Sequence, residues 1–195
     1  KMITIHNGIS DIDDEFKKKE FSKDELKIVM ISRFCAQKDP YTLIFAVHEL
    51  VKKGYNIKLD LFGYGPHLDK VLNCIKNQND KNIRYIGEIE DVTPILKNYD
   101  VYALISNWEG LPIGIIEGMR AGLPILATDT GGNSECIKDN GYLVKRQDIM
   151  DCRKQIKALW DSKNNLAILG QNSRKFYEEE FFAQKMIQEI IKSTM

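Results

Sequence analysis

The apolar positions of the chain follow two alternating patterns: short runs, and longer stretches in which apolar residues recur every three or four positions. The runs predict strands at residues 28–31, 57–62, 83–86, 101–105, 124–127 and 142–144. The periodic stretches predict amphipathic helices at residues 41–53, 67–77, 92–98 and 115–121. Strands that alternate with helices in this way indicate an α/β fold, a Rossmann-like doubly wound parallel sheet with helices on both faces.

The two ends of the chain follow other patterns. From Asp148 to the C-terminus the pattern is helical, with weak breaks near Lys163 and Phe181. Residues 3–5 predict a short strand, and residues 11–27 are dense in charge and poor in apolar side chains. We therefore expect residues 11–27 to form a connection that crosses the surface.

Composition narrows the environment and the kinds of ligand. With 195 residues the chain fits one domain. Its 28 basic and 28 acidic residues cancel, so no overall field favours nucleic acid or an anionic membrane, and any anion site must be local. The four cysteines form no C-x-x-C pair, which favours reduced thiols in a cytosolic protein over disulfides or a zinc site.

Two further features of the sequence concern membrane crossing and the relation of this chain to a longer protein. No apolar run approaches the length that crosses a bilayer. The chain begins at Lys1 rather than at a methionine, which predicts that it is a piece of a longer protein.

Four loops are expected to meet at one edge of the sheet, because ligands of open parallel sheets bind at the carboxyl ends of the strands. The loops cover residues 32–38, 63–66, 106–114 and 128–135. In the first loop, Arg33 and Lys38 are two cations that suit a diphosphate, although each alone also fits an ordinary surface residue.

Glycines mark the other three loops. Gly110 and Gly114 precede a predicted helix, whose amino end would let backbone N–H groups approach phosphate oxygens. Gly131 and Gly132 fit either the same role or a tight turn that only reverses the chain. The G-x-G at residues 63–65 lacks the third glycine of the dinucleotide fingerprint, so it favours a dehydrogenase only weakly.

Two glutamates accompany the glycine loop. Glu109 lies in the loop and Glu117 in the first turn of the predicted helix, so we expect both to face the same crevice. A carboxylate accepts from two vicinal hydroxyls, which suits a ribose or a hexose, and a helix amino end favours the ionised form of Glu117. An ordinary acidic first-turn residue is the alternative for Glu117.

The remaining polar candidates carry weaker signals. His48 has no partner at ligand spacing, His67 fits the start of a helix, and Trp108 fits a sugar pocket and simple packing equally well. The sequence shows neither a Ser/His/Asp order nor a cluster of metal ligands.

Taken in order, these stretches resemble the C-terminal domain of the retaining, two-domain GT-B glycosyltransferases, particularly glycosyltransferase family 4. The likeness covers nearly the whole chain, and the seven residues between Glu109 and Glu117 match the family's Glu-x7-Glu signature. The matching stretches are residues 5–9, Ser32-Arg33 with Lys38-Asp39-Pro40, residues 61–66, residues 109–124, and residues 127–132 with Glu135.

The resemblance implies a role for each matching residue. Arg33 and Lys38 would hold the donor diphosphate and stabilise the departing nucleotide, while Glu109 and Glu117 would contact the donor sugar and the ribose hydroxyls. The other donor-binding positions are Gly63 and Gly65 in the pocket wall, Ile89 near the base, and the backbone around Gly110, Leu111, Pro112, Ile113 and Gly114 at sugar and phosphate. In this family charge stabilisation by Arg and Lys replaces a metal, so no metal or other cofactor is expected.

The resemblance also implies a division of the chain. Residues 1–27 would be a linker from a missing N-terminal domain, residues 28–180 the donor-binding domain as one half of a GT-B fold, and residues 181–195 a C-terminal helix. That helix would pack back toward the missing half and be loosely held without it. Ser32 departs from the pattern, since many relatives have glycine there, and its side chain would crowd the phosphate approach.

The resemblance implies partners and a location as well. The donor would be a UDP- or GDP-sugar, and the parent enzyme a retaining hexosyltransferase of polysaccharide biosynthesis that acts on a glycan or lipid-linked acceptor. No nucleic-acid partner is expected. The expected location is the cytoplasm, at the inner face of the membrane in the full-length protein, with peripheral association through the absent half.

Two alternatives stay open. One is a non-catalytic nucleotide-binding or interaction module, which the presence of both cations and both glutamates disfavours. The other is a nucleotide-sugar epimerase, which needs acid–base residues of its own. In the favoured interpretation the chain alone is expected to be inactive.

Overall fold

The fold is built on a six-stranded, all-parallel sheet with the strand order β3-β2-β1-β4-β5-β6. The computed structural model describes residues 6–18 and 20–194, with the side chains of Ser193 and Thr194 excepted, so the strand predicted at residues 3–5 lies outside the described residues. The strands are β1 (Leu26–Ile31), β2 (Ile57–Phe62), β3 (Ile83–Gly87), β4 (Val101–Leu104), β5 (Ile125–Thr128) and β6 (Gly141–Val144).

Helices cover both faces of the sheet, which confirms the predicted doubly wound architecture. They are α1 (Pro40–Lys52), α2 (Leu68–Gln78), α3 (Thr93–Leu96), α4 (Ile113–Arg120), α5 (Ile149–Asp161), α6 (Leu166–Phe176) and α7 (Ala183–Thr194). Strand β1 begins at Leu26, two residues before the predicted start of the domain.

Two separate apolar cores form because successive side chains of each strand point to opposite faces of the sheet. Ile28 and Met30 point into a core shared with α1, α2 and α5, whereas Val29 points into a second core shared with α3 and α4. Helix α6 packs on α4 over the second core. Because both faces are covered, the central strands are apolar without interruption, as the short apolar runs predicted.

The strand order creates a switch point between β1 and β4. Strand β1 pairs with β2 on one side and with β4 on the other. The chain leaves β1 into α1 on one face and leaves β4 into α4 on the opposite face. The two loops therefore diverge and open a crevice at the carboxyl edge, where ligands of doubly wound sheets bind.

Local signals explain where α1 begins. The Asp39 carboxylate accepts hydrogen bonds from the Thr42 backbone N–H at 3.2 Å and from the Thr42 hydroxyl at 2.6 Å. Pro40 occupies the first helical position, where its missing N–H costs nothing. Asp39 and Pro40, which belong to the resemblance, thus act here as a helix start.

Helix α4 packs on β4 at two residues that have no side chain. A Cβ atom at Gly114 would lie 2.3 Å from the Tyr102 hydroxyl oxygen, and one at Gly118 would lie 2.7 Å from the Tyr102 Cγ. Tyr102 is fully buried, and its hydroxyl donates to the Ile31 carbonyl oxygen at 3.3 Å. The ring thus sets the distance between the helix and the sheet.

The segment before β1 crosses the surface as predicted. The Lys18 backbone N–H donates to the Ala121 carbonyl at 2.8 Å, and the Lys18 ammonium lies 3.0 Å from the buried carboxylate of Asp100. Phe21 packs against the first core. These contacts tie the segment to the amino-terminal edge of the sheet, opposite the crevice.

The C-terminal region meets the beginning of the described chain. A π-helical turn, Tyr177–Phe181, ends α6 and buries Phe181, close to the predicted break. Ile9 pairs with Phe182, and the Ala183 N–H donates to the Ile9 carbonyl at 3.0 Å. Helix α7 leaves Ile187, Ile190 and Ile191 about half exposed; its packing toward a further domain stays a prediction.

Over residues 6–18 and 20–194, no helix combines the length and the apolar character that a membrane crossing requires.

We predict that Gly118→Ala destabilises the protein although Gly118 lies inside a helix. Alanine normally stabilises a helix interior by ~1 kcal/mol relative to glycine, but here its Cβ would overlap the buried ring of Tyr102. A net loss of about 1–3 kcal/mol in the free energy of unfolding is expected from urea denaturation. Gly110→Ala is the control, because its Cβ would meet nothing within 4 Å; equal effects of both changes would contradict the packing argument.

Candidate functional site

The loops after β1 and β4 are joined by backbone hydrogen bonds across the switch point. Lys38 and Ser106 form an antiparallel bridge. The Asn107 N–H donates to the Gln37 carbonyl at 2.7 Å, and the Asp39 N–H donates to the Ile105 carbonyl at 2.9 Å. The two loops are therefore held in a fixed register at the mouth of the crevice.

This register brings Lys38 and Glu109 together. The Lys38 ammonium forms an ion pair with Oε1 of Glu109, and the Gln37 amide donates to Oε2 at 3.1 Å. The Glu109 side chain is only 5% exposed and that of Lys38 13%. A carboxylate so shielded from water needs such partners. Lys38, which was predicted to bind the diphosphate, is therefore paired with Glu109, which was predicted to contact the sugar.

Arg33 lies apart from this pair. Its side chain is exposed and has no ion-pair partner among the described residues. The loop after β1 runs beside the loop after β2, with the Phe34 N–H donating to the Tyr64 carbonyl at 2.6 Å, so Arg33 stands beside the half-exposed Tyr64. Of the two predicted cations, Lys38 is engaged in an ion pair and Arg33 is not, among the described residues.

Gly63 and Gly65 owe their identity to the contact between these two loops. Their φ angles are +134° and +139°, and Cβ atoms there would lie 1.9 Å and 2.4 Å from the carbonyl oxygens of Ser32 and Phe34. The two glycines are needed for close backbone approach. They shape the crevice wall by letting the neighbouring loop lie against them.

Gly131 and Gly132 support the loop after β4 from the other side. A Cβ at Gly131 would lie 1.9 Å from the Glu109 carbonyl oxygen, and one at Gly132 would lie 2.4 Å from the Gly110 carbonyl oxygen. The Gly132 N–H already donates to that Gly110 oxygen at 3.0 Å. The geometry therefore gives this glycine pair a packing role against the loop after β4, which neither of the two predicted alternatives included.

The amino end of α4 is open. Pro112 is the N-cap residue and provides no side-chain hydrogen bond to the helix. The N–H groups of Ile113 and Gly114 occupy the first two helical positions, which have no acceptor within the helix. Leu111 is partly buried against the second core, and Ile113 is half exposed. Two amide donors and the positive end of the helix dipole thus face the crevice.

Glu117 differs from the prediction in two respects. Helix α4 begins at Ile113, so Glu117 lies in the second turn rather than the first. Burial raises the pKa of its carboxyl, and the nearby Asp91 adds to the rise while Arg120 opposes it. The expectation that the helix end favours the ionised form was wrong, because desolvation outweighs the dipole beyond the first turn.

The two glutamates therefore have different surroundings. Glu109 faces the loop after β1, whereas Glu117 has Asp91 of the loop after β3 as a charged neighbour. Tyr102 lies near both, and burial together with the two carboxylates raises the pKa of its phenol. Among the described residues no hydrogen bond or ion pair involves the side-chain carboxylate of Glu117, whose backbone carbonyl accepts from the Ala121 N–H at 3.0 Å. The carboxylate is thus free to accept from a ligand.

Ile89 lies in the loop after β3, on the Glu117 side. Its side chain is partly buried against the second core. Arg120 of α4 donates to the Thr93 hydroxyl at 3.2 Å, which ties the beginning of α3 to α4. The loop that carries Ile89 thus borders the crevice beside Glu117.

The weaker candidates have mainly local roles. Trp108 is 54% exposed, so it does not pack in the core. His48 Nδ1 lies 3.1 Å from Asp80 Oδ2, and His67 is the N-cap residue of α2. The Ser32 hydroxyl is buried without a partner among the described residues.

The cysteines and the acidic side chains are the groups that could hold a metal. All four cysteines are free, as predicted. Within the described part of the chain, His, Cys, Asp and Glu side chains form no group of three or more that suits a metal ion. The absence of a metal requirement stays a prediction.

Sequence reasoning missed two residues that organise the site. Gln37 binds Glu109, but a single glutamine in a loop gives no pattern that could reveal it. Tyr102 lies within an apolar strand and looks like any core aromatic. Its only signal was the pair Gly114 and Gly118, spaced one helical turn apart.

Comparison with known proteins gives the family and the extent of the likeness. A sequence model described as glycosyl transferases, group 1, matches residues 11–176. Protein CapJ of Staphylococcus aureus is 32% identical over 185 residues, which cover 91% of this chain and 44% of that protein. N-acetyl-alpha-D-glucosaminyl L-malate synthase of Bacillus anthracis is 27% identical over 175 residues, covering 87% of this chain and 46% of that protein. The chain spans about half the length of these curated relatives.

A solved structure confirms the fold. TarM of S. aureus, a variant in complex with fondaparinux, alpha-GlcNAc-glycerol and UDP, has a TM-score of 0.86 at 24% identity and covers 97% of this chain and 38% of that chain. The predicted Rossmann-like sheet, as one half of a GT-B fold, is confirmed.

We predict that Glu117→Gln stabilises the protein near neutral pH. The folded-state pKa of Glu117 is raised above the ordinary pKa of a glutamate. When the pH exceeds that ordinary pKa, ionisation of the Glu117 carboxylate therefore lowers the free energy of unfolding. Below about pH 4 both the folded and unfolded states are protonated, and the cost disappears. The substitution should raise the melting temperature by about 2 °C near pH 7 and by less near pH 4.

Glu49→Gln is the matched control, because Glu49 pairs with Arg153 on the surface and should show no such gain. A lower melting temperature of Glu117→Gln near pH 7 would contradict the desolvation argument.

Proposed function

The chain belongs to the group 1 glycosyl transferases, and we propose that it forms the half of such an enzyme that binds a nucleoside diphosphate sugar, linked to uridine or guanosine. The observation that carries this proposal is the group at the switch point: Lys38 and Glu109 in contact, beside the uncapped amino end of α4. The cation and the free amides suit a diphosphate, and the carboxylate suits the hydroxyls of a sugar.

The diphosphate would be held by charge and by backbone donors. Arg33 offers an exposed guanidinium without an ion-pair partner among the described residues, and Lys38 lies on the same loop. The amides of Ile113 and Gly114 add uncharged donors at the positive end of α4. Bidentate arginine contacts and helix amino ends are common ways to bind phosphate groups.

The sugar and the nucleoside would lie on opposite sides of the diphosphate. Glu109 would accept hydrogen bonds from hydroxyls of the donor sugar, and Glu117 would accept them from the ribose. Ile89 would lie beside the base, since its loop borders Glu117. UDP bound to TarM supports a uridine nucleotide.

In the proposed reaction, the bond from the sugar anomeric carbon to the diphosphate oxygen breaks, and negative charge grows on that oxygen. Arg33 and Lys38 would stabilise this charge, which is where preorganised donors accelerate a reaction most. We propose that the two cations do so without a metal, and that transfer proceeds with retention at the anomeric carbon, as the likeness to family 4 implies.

The acceptor site and the rest of the active site would lie in a further domain of the same polypeptide, joined to this one through the linker of residues 1–27. The acceptor would be a glycan or a lipid-linked saccharide, and the transferred group a hexose. The parent enzyme would work in the cytoplasm, at the inner face of the membrane.

We predict that Arg33→Ala and Lys38→Ala weaken binding of a nucleoside diphosphate far more than binding of the nucleoside. Each substitution removes a charge-assisted contact to phosphate, so losses of roughly 10- to 100-fold are expected for UDP or GDP. Losses for uridine or guanosine should stay within about twofold. Titration calorimetry with UDP, GDP, ADP and their sugar conjugates measures both effects and identifies the base.

Lys53→Ala is the control for this experiment, because Lys53 is an exposed cation at the far end of α1, away from the carboxyl edge. Equal losses for diphosphate and nucleoside would remove the diphosphate role of Arg33 and Lys38. Binding of none of the compounds by the unmodified chain would contradict the donor-binding proposal and favour a non-catalytic module.

We also predict that the 195-residue chain binds donor but transfers no sugar. Incubation with donor and candidate acceptors should release no more free nucleotide than a Lys38→Ala sample. Turnover by the chain alone would contradict the division of the site between two domains. Solvent deuterium incorporated into the donor sugar would instead indicate an epimerase.

A further inference from the structure

Gln37 makes a bridge that the proposed roles leave unexplained. Its side-chain amide donates to Oε2 of Glu109 at 3.1 Å and to the Trp108 carbonyl at 3.1 Å. We propose that Gln37 is a positioning residue that keeps the Glu109 carboxylate in place for the donor sugar when Lys38 turns to the diphosphate. This inference rests on the proposed function.

The contacts divide the carboxylate between two partners. Lys38 binds Oε1 of Glu109, and Gln37 binds Oε2. The two partners are consecutive residues of the loop after β1, so both approach Glu109 from the same loop. Loss of one partner leaves the other in place.

A diphosphate would change the balance between these partners. Its negative charge attracts the Lys38 ammonium, which then contributes less to Glu109. The Glu109 side chain is 5% exposed, and a shielded carboxylate that loses its only partner pays a large desolvation cost. Gln37 carries no net charge, so the diphosphate does not attract its side chain away from Glu109 as it attracts that of Lys38.

Hydrogen bonds to the loop after β4 fix the position of the Gln37 backbone. The Gln37 carbonyl accepts from the Asn107 N–H at 2.7 Å, and the Ala36 carbonyl accepts from the Asn107 side-chain amide at 3.0 Å. The Gln37 amide returns to the same loop through the Trp108 carbonyl. Few rotamers satisfy both acceptors, so the donor direction toward Glu109 is set before any ligand arrives.

Because Gln37 is neutral and not a second cation, the Glu109 carboxylate keeps its negative charge available for a ligand. A carboxylate has about four lone-pair directions, and Gln37 occupies one of them. A neutral donor leaves the negative charge of Glu109 available to sugar hydroxyls. Gln37 thus orients the carboxylate without quenching it.

The test separates sugar binding from diphosphate binding. We expect Gln37→Met, which keeps the length of the side chain and removes the donor, to leave the affinity for UDP or GDP within about twofold of the unmodified protein. The affinity for the matching sugar conjugate, UDP-N-acetylglucosamine, UDP-glucose or GDP-mannose, should fall roughly five- to tenfold, as for one hydrogen bond. Calorimetry with the pair that the unmodified protein binds measures both.

A double-mutant cycle distinguishes positioning from general support of the loop. In a Glu109→Gln background, Gln37→Met should weaken the conjugate by less than about twofold, because the group it positions is gone. Gln147→Met is the matched control, since the Gln147 amide donates to the Asn107 side chain at 2.8 Å and should not separate conjugate from diphosphate. Gln37→Ala replaces Gln37→Met if the methionine variant does not fold.

Three results would overturn the inference: equal losses for diphosphate and conjugate, an undiminished loss in the Glu109→Gln background, or a Gln147→Met effect like that of Gln37→Met. If the unmodified chain binds no nucleotide at all, the proposed function fails first and the inference falls with it. If the unmodified chain prefers the conjugate and Gln37→Met keeps that preference, only the inference fails.

Discussion

The carboxylate of Glu109 is the group on which the arrangement of the crevice depends. It is shielded from water at the point where the sheet changes direction, and a charge in such a place requires partners. Among the described residues its side-chain partners, Lys38 and Gln37, both come from the loop after β1, which the strand order sets beside the loop after β4. The ion pair with Lys38 adds a side-chain contact to the backbone hydrogen bonds that hold the two loops together.

The loops around this pair are fitted to one another through backbone contact rather than through side chains. The loop after β2 lies against the loop after β1, and the loop after β5 lies against the loop after β4, each at glycines where a Cβ would overlap a carbonyl oxygen. Beneath α4 the Tyr102 ring packs in the same close way, because Gly114 and Gly118 have no Cβ there. The crevice is consequently shaped before a ligand enters, which lowers the ordering cost of binding.

The fold and most element boundaries follow from the apolar pattern, because a doubly wound sheet buries its strands on both faces and leaves one long apolar side on each helix. The start of α4 did not follow, since Pro112, Ile113 and Gly114 look like the end of a glycine loop although proline suits the first positions of a helix. That difference of two residues moved Glu117 into the second turn. Arg33, Lys38 and Glu109 could be named as candidates from their order along the chain, and the structure brings the last two into contact. Gln37 could not, because its importance comes from a contact across 72 positions of sequence.

The open amino end of α4 has a consequence for how such a site can diversify. Its donors are peptide groups, which neither titrate nor change when a side chain is replaced. In the proposed site, substitutions at Leu111 or Ile113 would reshape the space around a sugar and leave the hold on phosphate intact. Selectivity would then depend on side chains and anchoring on backbone groups, with both combined in Ile113, so that a lineage could exchange one donor sugar for another without passing through a form that has lost its nucleotide.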